Sequence, residues 1–339
     1  MIMTRILYVG NKLSPSGFSQ SVIETLGHQL SREGFVVYYA GTYKNKVLRV
    51  AEILVKTFII GRRADYILID TYSTMAFWSA FITGMTSRLV GTKYIPILHG
   101  GNLPSRLKRS KRACDIMFKN SFKNVAVSGY LRHEFEMAGY DTITIPNSID
   151  ISLYPFRLRE YPRPKLLWVR SFHKQYNPNM AADVLNELLK TNPEAELCMV
   201  GPDKDGSMER FRNYLKVLGI SSQVKITGLL KKEEWINLSK DYDFFINTTN
   251  VDNTPVSVIE ALSLGLTVIS TNPGGIPYLL KSDENSVLVN CGDYKQMATQ
   301  IIRLVNDYST SQRLALNGRK LAEKFDWTSV KPLWFNLFS

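Results

Sequence analysis

The sequence places a single carboxylate, Glu260, inside an apolar stretch that has the pattern of a helix. The segment DNTPVSVIEALSLG, residues 252–265, begins with polar residues, continues with apolar ones and ends at a glycine. We predict Thr254 as the N-cap and Pro255 as the first helical residue, because proline lacks only an N–H that would be unpaired there. Gly265 is typical of a helix C-terminus.

The start of this helix has the chemistry of a nucleotide site. The free N–H groups of Val256 and Ser257, together with the helix dipole, favour a bound phosphate. Glu260 lies one turn deeper on the same face, where a carboxylate can accept two hydrogen bonds from ribose hydroxyls. The alternative is a capped core helix in which Glu260 forms a structural ion pair, and the helix alone favours neither.

Cations and glycines in the same half of the chain favour the nucleotide. The segment LLWVRSFHK, residues 166–174, indicates a strand followed by Arg170 and Lys174, where both cations can neutralise a diphosphate. The segment NPGG, residues 272–275, follows another β-rich run and permits close backbone approach.

Two residues of the N-terminal half indicate the same ligand. Gly17 lies in the loop after the first β-rich run and would face the phosphates, although SPSGFSQS is not a G-x-G-x-x-G motif. His99 ends a β-rich run just before two glycines, which predicts a side chain at the edge of a cleft, and the alternative is a histidine with a structural role only.

The elements that must position these residues alternate between strand and helix along the chain. Six β-rich runs precede a proline-rich segment and six follow it. The first six are Ile6–Val9, Val36–Tyr39, Tyr66–Ile69, Tyr94–Leu98, Val125–Val127 and Thr142–Ile145. The second six are Leu166–Val169, Leu197–Val200, Val224–Thr227, Phe244–Ile246, Thr267–Ile269 and Val287–Val289. Helical patterns separate the runs, near Gln20–Arg32, Val47–Ile59, Met75–Leu89, Ser105–Lys119 and Tyr130–Ala138 in the first half and near Asn179–Lys190, Met208–Leu218, Lys232–Lys240, Val256–Leu264 and Tyr294–Val305 in the second. Such alternation indicates parallel sheets with helices on both faces.

We therefore predict two tandem doubly wound α/β domains with a ligand-binding cleft between them. The predicted first domain covers residues 1–150, and the second covers 165–324. Residues 151–164 are rich in proline and charge, which is typical of a linker.

Composition sets outer limits on the function. The chain has 339 residues, of which 45% are hydrophobic and 21% charged, as in a globular protein. Cys114, Cys198 and Cys291 form no C-x-x-C pair, which argues against a disulfide framework or a zinc site and suits the cytoplasm. The apolar run MAFWSAFITGM is too short to span a membrane.

The net charge of +12 is concentrated in the N-terminal half, where residues 1–150 hold 19 Lys and Arg against 10 Asp and Glu. RLKRSKR, residues 106–112, is the densest run, and residues 44–63 mix basic and apolar side chains. Such runs form either a solvated basic face or a surface that attracts anionic lipids or a phosphate-bearing acceptor. Nucleic-acid motifs are absent from the sequence, so we expect no nucleic-acid partner.

Several segments together resemble the retaining glycosyltransferases of family 4, the glycosyl transferases group 1, which have the GT-B fold of two Rossmann-like domains. Residues 247–280 resemble the C-terminal signature of that family, and IPNSID, residues 145–150, resembles its P-N-G-[VI]-D motif. LGHQLSREGFVV, residues 26–37, resembles its first helix and second strand. FDWTSVKPLWFNLF, residues 325–338, resembles its C-terminal tail, so residues 325–339 are expected to cross back to the first domain.

The resemblance implies transfer of a sugar from a nucleoside diphosphate sugar, with UDP as the default, without a metal or other cofactor. The acceptor would be a hydroxyl of a saccharide or a lipid-linked compound, in the synthesis of a cell-surface polysaccharide or glycolipid. The acceptor is expected near Gly17, Asp70–Ser73 and Gly100–Arg106. The implied location is the cytoplasm, with peripheral attachment to the inner face of the plasma membrane.

The resemblance also assigns roles to residues. Glu260 matches the glutamate that holds the ribose, and Asp252 stands where the family has a glutamate that orients the donor sugar. His99 matches the histidine near the reacting sugar. Since Asp252 is one methylene shorter than glutamate, part of the sugar contact would come from water or Asn253. The expected donor-binding residues are Gly17, Arg170, Lys174, Asn253, Thr254, Val256, Ser257 and Glu260.

Other functions fit parts of the same pattern. The aspartate at position 252 is compatible with a non-catalytic nucleotide-sugar-binding protein. An epimerase or a phosphorylase would use the same fold. A nicotinamide dehydrogenase is disfavoured, because no dinucleotide fingerprint follows the first predicted strand.

Overall fold

The chain divides into two compact α/β units. The computed structural model describes residues 3–13 and 21–339. The first unit consists of Met1–Ser148 and Leu333–Ser339, and the second of Ile149–Pro332.

The first unit is built on a six-stranded parallel sheet. Its strands are β1 (Arg5–Val9), β2 (Val36–Ala40), β3 (Tyr66–Thr71), β4 (Lys93–Leu98), β5 (Asn124–Ala126) and β6 (Thr142–Thr144), in the order β2-β1-β3-β4-β5-β6. Its helices are α1 (Val22–Arg32), α2 (Lys46–Ile59), α3 (Ala76–Leu89), α4 (Leu103–Arg109), α5 (Lys111–Lys119) and α6 (Gly129–Met137). All six residues of β3 are buried, as expected of a parallel strand covered on both faces.

The second unit repeats this architecture with a different strand order. Its strands are β7 (Lys165–Val169), β8 (Glu196–Val200), β9 (Val224–Gly228), β10 (Phe244–Asn247), β11 (Thr267–Thr271) and β12 (Val287–Val289), in the order β12-β11-β10-β7-β8-β9. Its helices are α7 (Pro178–Leu188), α8 (Ser207–Leu218), α9 (Lys232–Leu238), α10 (Val256–Ser263), α11 (Ile276–Leu279), α12 (Tyr294–Asn306) and α13 (Tyr308–Glu323). The last helix of the chain is α14 (Trp327–Phe338), and its final residues belong to the first unit.

Each sheet has one point at which the strand order reverses direction. In the first unit it lies between β1 and β3, and in the second between β7 and β10. Loops at the C-terminal ends of such strand pairs diverge and leave room for a ligand. The residues that follow β7 and β10 are therefore the expected site of the second unit.

All twelve predicted strands are present, and the helices differ from prediction mainly in the polar parts of the chain. The predicted helix over residues 105–119 is broken at Ser110, whose φ of −130° and ψ of 42° are not helical. Helix α11 has only four residues, too few for a helical period to show. Helix α13 was missed because its sequence is largely polar, although Leu314 and Ala315 are buried.

Residues 151–164, predicted as a linker, lie within the second unit. Tyr154 is buried, and the buried Arg159 guanidinium donates hydrogen bonds to four backbone carbonyls. Burial lowers the pKa of Arg159 to about 10. Segments that bury an aromatic ring and a guanidinium are fixed parts of a core, so this segment does not act as a free tether.

The ends of α10 refine the predicted capping. Pro255, with φ −69° and ψ 116°, is the N-cap, so the prediction of Thr254 as N-cap and Pro255 as first helical residue is wrong by one position. Gly265 follows the helix with φ +75°, as predicted, and the N–H of Leu266 donates to the carbonyl of Ala261 at 3.1 Å.

None of the helices in residues 3–13 and 21–339 combines the length and the apolar character that crossing a membrane requires.

Replacing Gly265 with alanine should destabilise the second unit. A Cβ there would lie 2.5 Å from the carbonyl oxygen of Arg157, in addition to the strain of a left-handed backbone. We expect Gly265→Ala to lower the free energy of unfolding by about 3 kcal/mol, measured by urea denaturation. Gly219→Ala is the matched control, because its φ is +70° and no atom lies within 4 Å of the added Cβ. It should cost about 1 kcal/mol; equal losses in the two variants would contradict the steric argument.

Candidate functional site

Arg170 follows β7 directly and lies at the reversal point of the second sheet. Its N–H donates to the carbonyl of Val200 at 3.0 Å, which fixes the backbone beside β8. Its guanidinium lies over the ring of Tyr176, 4.6 Å from the ring centre, and 17% of the side chain is exposed. A guanidinium that lies over an aromatic ring keeps its N–H groups available to other partners, because these groups lie in the plane of the guanidinium.

Asp252 lies in the loop after β10 and pairs with Arg170. Its Oδ2 accepts a hydrogen bond from the Arg170 guanidinium, and its Oδ1 accepts the N–H of Asn253 at 2.9 Å. β7 and β10 are neighbours in the sheet, which brings together two residues that are 82 positions apart in sequence. The ion pair therefore joins the two loops that diverge at the reversal point.

The two glycines of NPGG support the Asp252 loop. The N–H of Gly275 donates to the carbonyl of Asp252 at 3.0 Å. A Cβ at position 275 would lie 2.2 Å from the carbonyl oxygen of Asn253, so only glycine fits. The close backbone approach predicted for this segment is present, and it is made to residues 252–253.

Two buried polar groups at this site have no partner. The Oγ of Ser257, in the first turn of α10, and the Nε of Arg170 make no hydrogen bond within the part of the chain that the structure describes. The N–H groups of Val256 and Ser257 likewise have no acceptor among residues 3–13 and 21–339. Buried unsatisfied donors are costly, and an anion with several oxygens would satisfy them.

Glu260 is buried one turn inside α10 and is held on one side only. Its Oε1 accepts the hydroxyl of Tyr154 at 2.6 Å and lies 3.0 Å from the Lys232 ammonium. Its Oε2 has no hydrogen-bond partner within the described residues and can accept from a ligand. The structure thus contains the ion pair expected if α10 were only a capped core helix. The other carboxylate oxygen can still accept hydrogen bonds from a diol.

Burial sets the electrostatics around these groups. Burial raises the pKa of Tyr154 well above its ordinary value, and the Glu260 carboxylate adds to the shift. Tyr154 therefore stays protonated and donates to Glu260. Burial lowers the pKa of Arg170, and Tyr176 and Glu260 oppose part of that shift. A guanidinium that has lost hydration gains most from a second anion.

The other predicted donor-binding residues surround this centre. Asn253 is buried beside Asp252, and Thr254 is half-buried just before α10. Val256 begins α10 and is exposed. Lys174 begins a short 3₁₀ helix after β7, and its exposed ammonium has no partner in the described part of the chain.

His99 forms a separate cluster in the first unit. Its Nε2 lies 2.8 Å from Oδ1 of Asp70, which also accepts the Tyr8 hydroxyl at 3.0 Å. The His99 ring stacks on Tyr72 with the ring centres 5.2 Å apart. Burial, followed by the Asp70 charge, raises the pKa of Tyr8, so its hydroxyl remains a donor. The Nε2 of His99 and the Tyr8 hydroxyl therefore share one oxygen of Asp70.

Asp70 occupies the reversal point of the first sheet. It belongs to β3, and its buried Oδ2 has no hydrogen-bond partner in residues 3–13 and 21–339. Arg106 connects two segments predicted near the acceptor, because its Nε donates to the carbonyl of Ser73 at 2.9 Å. Gly17 lies outside the described residues.

The residues that hold the predicted ones carry no recognisable pattern in the sequence. Tyr154 lies in the segment predicted as a linker, Lys232 at the start of α9, and Tyr176 in the 3₁₀ turn after β7. The order of neighbouring strands determines which of these side chains meet, and a single sequence carries no signal of that order. Within residues 3–13 and 21–339, the structure contains no group of three or more His, Cys, Asp or Glu side chains that could hold a metal ion.

A family model matches most of the second unit. Residues 154–321 match the family model of the glycosyl transferases group 1. The sulfoquinovosyl transferase SQD2 of Arabidopsis thaliana is 27% identical over 151 residues, 44% of this chain and 28% of that protein. The 2-deoxystreptamine N-acetyl-D-glucosaminyltransferase of Niallia circulans is 26% identical over 144 residues, 42% of this chain and 36% of that protein. The matched segments thus span well under half of these relatives' lengths.

Solved structures share the fold across the whole chain. Sucrose-phosphate synthase from Thermosynechococcus elongatus aligns with a TM-score of 0.81 at 15% identity, covering 99% of this chain and 98% of that one. Anabaena HepE in complex with UDP and glucose aligns with a TM-score of 0.77 at 16% identity, covering 99% and 100%. The predicted GT-B class of two Rossmann-like α/β domains is confirmed. Over residues 154–321, the chain is therefore similar to the glycosyl transferases group 1.

Proposed function

We propose that this protein is a retaining glycosyltransferase that moves a sugar from a nucleoside diphosphate sugar to a hydroxyl of a saccharide or lipid-linked acceptor. One observation carries the proposal. At the reversal point of the second sheet, a desolvated arginine, the open N-terminus of α10 and a half-satisfied buried carboxylate occur together. A diphosphate joined to a ribose has matching groups for all three.

In this proposal each side chain has a distinct task. Arg170, with Lys174 beside it in sequence, binds the diphosphate, and the N–H groups of Val256 and Ser257 bind further phosphate oxygens. Oε2 of Glu260 accepts hydrogen bonds from the ribose, while Tyr154 and Lys232 hold its other oxygen. Asp252, with Asn253 and Thr254, orients the donor sugar. Uridine is the default nucleoside of the donor, because HepE structures contain UDP and UDP-glucose.

The proposed reaction keeps the anomeric configuration without a covalent enzyme intermediate. The bond from the anomeric carbon to the diphosphate oxygen breaks, and the acceptor oxygen bonds to the same face of that carbon. The departing phosphate oxygen takes the acceptor's proton. Arg170 and the α10 amides stabilise the charge that grows on the diphosphate. An inverted product anomer by NMR, or turnover that requires added magnesium, would contradict this account.

The first unit is proposed to bind the acceptor and to carry the histidine that assists transfer. Support comes from the Asp70–His99 cluster at the reversal point of its sheet, which includes a buried carboxylate oxygen without a partner among the described residues. That oxygen can accept a hydroxyl of a saccharide. The same proposal holds that the acceptor is consumed in the synthesis of a cell-surface polysaccharide or glycolipid.

A second candidate is a nucleotide-sugar-binding protein without transferase activity. The observation that favours it is the engagement of both Asp252 oxygens, by Arg170 and by the N–H of Asn253, which leaves the aspartate less able to hold a sugar. Such a protein would bind donor but release no UDP. An epimerase would convert the donor without acceptor, and a phosphorylase would require inorganic phosphate.

Neutralising Arg170 should strongly weaken nucleotide-sugar binding. In a thermal-shift panel of nucleoside diphosphate sugars, we expect the unmodified protein to be stabilised by at least one ligand. Arg170→Gln should weaken the affinity for that ligand about 30-fold or more, because a buried charged hydrogen-bond donor is lost. Arg163→Gln is the matched control, since Arg163 also pairs with an aspartate of this unit, Asp243 at 2.9 Å, but before β7. Unchanged affinity in Arg170→Gln would refute the proposed site.

Glu260 should control recognition of the ribose. We expect the protein to bind UDP at least about tenfold more tightly than 2′,3′-dideoxy-UDP, because the dideoxy ligand cannot donate to the carboxylate. In Glu260→Gln this preference should fall below about threefold, since a neutral amide accepts more weakly. Calorimetry measures both affinities. Lys232→Gln keeps the carboxylate and should keep the preference, and a Glu260→Gln protein that still prefers UDP as strongly would count against the role.

Asp70 should act as a positioning residue for His99. We expect Asp70→Asn to lower kcat for the donor identified in the panel by about tenfold or more, because His99 loses its charged acceptor. The donor's dissociation constant should stay within about twofold, since the donor contacts proposed here lie on other strands. Tyr8→Phe, which removes the other donor to the same oxygen, is the control and should lower kcat less. Parallel losses of affinity and kcat in Asp70→Asn would indicate a structural role instead.

A further inference from the structure

Helix α2 is apolar on the side that faces away from the protein core. Its core side is marked by Ile53 and Thr57, both buried. On the opposite side, Val47 is 77% exposed and Val55 is 56% exposed, with Phe58 at 48%. These positions recur at helical spacing, so they form one continuous stripe. Surface helices of globular proteins ordinarily place charged residues there.

Helix α3 has the same unusual feature and lies against α2. Its buried residues include Phe77, Ala80 and Gly84. The opposite side exposes Trp78 and Leu89, the latter 86% exposed. We define the α2–α3 face as the large apolar side chains that these two helices and the residue before α3 expose. Its members are Val47, Leu48, Val55, Phe58, Ile59, Met75, Trp78, Ile82 and Leu89.

Basic residues outnumber acidic ones on α2, on α3 and in the adjoining segments, and Glu52 and Asp65 both have hydrogen-bond partners. The exposed or half-buried bases are Lys44, Lys46, Arg49, Arg62, Arg63 and Arg88. Glu52 of α2 is 6% exposed at its side chain and is bound by Lys56 at 2.7 Å. Asp65 accepts the N–H of Arg5 at 2.7 Å. The surface therefore combines a large apolar area with uncompensated positive charge.

We propose that the α2–α3 face docks on the surface of an anionic lipid bilayer, with its apolar side chains in the acyl boundary and its bases at the headgroups. Apolar area and basic charge on one helical surface are the two terms that drive interfacial binding. Charge complementarity argues against a second copy of this chain as the occupant, because two such faces would bring like charges together. The inference does not depend on the proposed transferase activity.

The densest basic run, residues 106–112, does not have this combination. Arg106 is half-buried and bound to the carbonyl of Ser73. Lys111 lies 3.6 Å from Asp115, and the buried residues Leu107 and Cys114 face the core. The exposed members of this run carry charge with little apolar surface beside them, which alone gives weak, salt-sensitive attraction. The bilayer contact is therefore assigned to α2 and α3.

Sedimentation with lipid vesicles tests the proposal directly. Vesicles of phosphatidylcholine and phosphatidylglycerol in equal parts are compared with vesicles of phosphatidylcholine alone. We expect the unmodified protein to partition at least about tenfold more strongly onto the anionic vesicles. The triple variant Val55→Ser, Ile59→Ser, Leu89→Ser should lose at least about tenfold of that partitioning, because three inserted side chains become polar.

Matched controls separate this surface from general stickiness. Met137→Ser, Val217→Ser and Leu229→Ser remove three equally exposed apolar side chains elsewhere and should leave partitioning within about twofold. A second pair tests charge. Arg62→Gln, Arg63→Gln, Arg88→Gln should weaken binding at least about tenfold, whereas Lys108→Gln, Arg109→Gln, Arg112→Gln should change it less than about threefold. Circular dichroism verifies that each variant is folded.

Three outcomes would overturn the proposal. The first is equal partitioning onto both vesicle types, or none onto either. The second is equal loss in the α2–α3 variants and their controls. The third is a dimer by light scattering that the Val55, Ile59 and Leu89 substitutions dissociate while vesicle binding persists, which would identify a second copy as the occupant. No sugar nucleotide enters these measurements, so their result is independent of the transferase test.

Discussion

The candidate site of the second unit depends on an ion pair between Arg170 and Asp252. It joins the loops that leave β7 and β10, the two strands between which the sheet order reverses. Hydrogen bonds also join these loops, such as the one from the N–H of Asn250 to the carbonyl of Gln175 at 2.8 Å, and the ion pair adds a charged contact to them. The same two loops are restricted further, because the Arg170 guanidinium lies over the ring of Tyr176 and Gly275 packs closely against the backbone of residue 253. The result is a preorganised surface of backbone N–H groups and a cation.

This arrangement leaves specific groups unsatisfied, and their cost is informative. The Nε of Arg170 and the Oγ of Ser257 are buried without partners in the described residues, and one oxygen of Glu260 accepts nothing. A folded protein rarely keeps several such groups together unless a ligand completes them. Tyr154 and Lys232, in contrast, bind the other oxygen of Glu260 and thereby fix the orientation of the carboxylate. The site therefore has fixed protein contacts on one side and unsatisfied polar groups on the side where a nucleoside diphosphate would bind.

The first unit distributes its polar and apolar features between two faces with different tasks. Asp70, His99 and Tyr8 form a buried hydrogen-bonded cluster at the C-terminal end of β3. Helices α2 and α3 instead expose apolar side chains to the outside, with bases at the margins. Hydrogen bonds among its members stabilise a buried polar cluster, whereas a large exposed apolar area is typical of an interaction surface. Both features follow from the same α/β framework, because sheet ends and outer helix faces are different surfaces.

Local sequence patterns were sufficient for the fold class and the twelve strands, and the donor-binding residues that they indicate stay predictions. Apolar runs of four to six residues between helical segments identify buried parallel strands, because every residue of such a strand needs an apolar side chain. The same local chemistry indicated Glu260, Arg170 and the start of α10 as parts of one site. It placed the N-cap of α10 one residue early, because Thr254 and Pro255 both suit a helix start and only the backbone angles distinguish them. Tertiary structure alone decided that Tyr154 and Lys232 hold Glu260, that Arg106 binds Ser73, and that the apolar residues of α2 face outward. These contacts join residues far apart in sequence, and the strand order that brings them together depends on the free energy of the whole core.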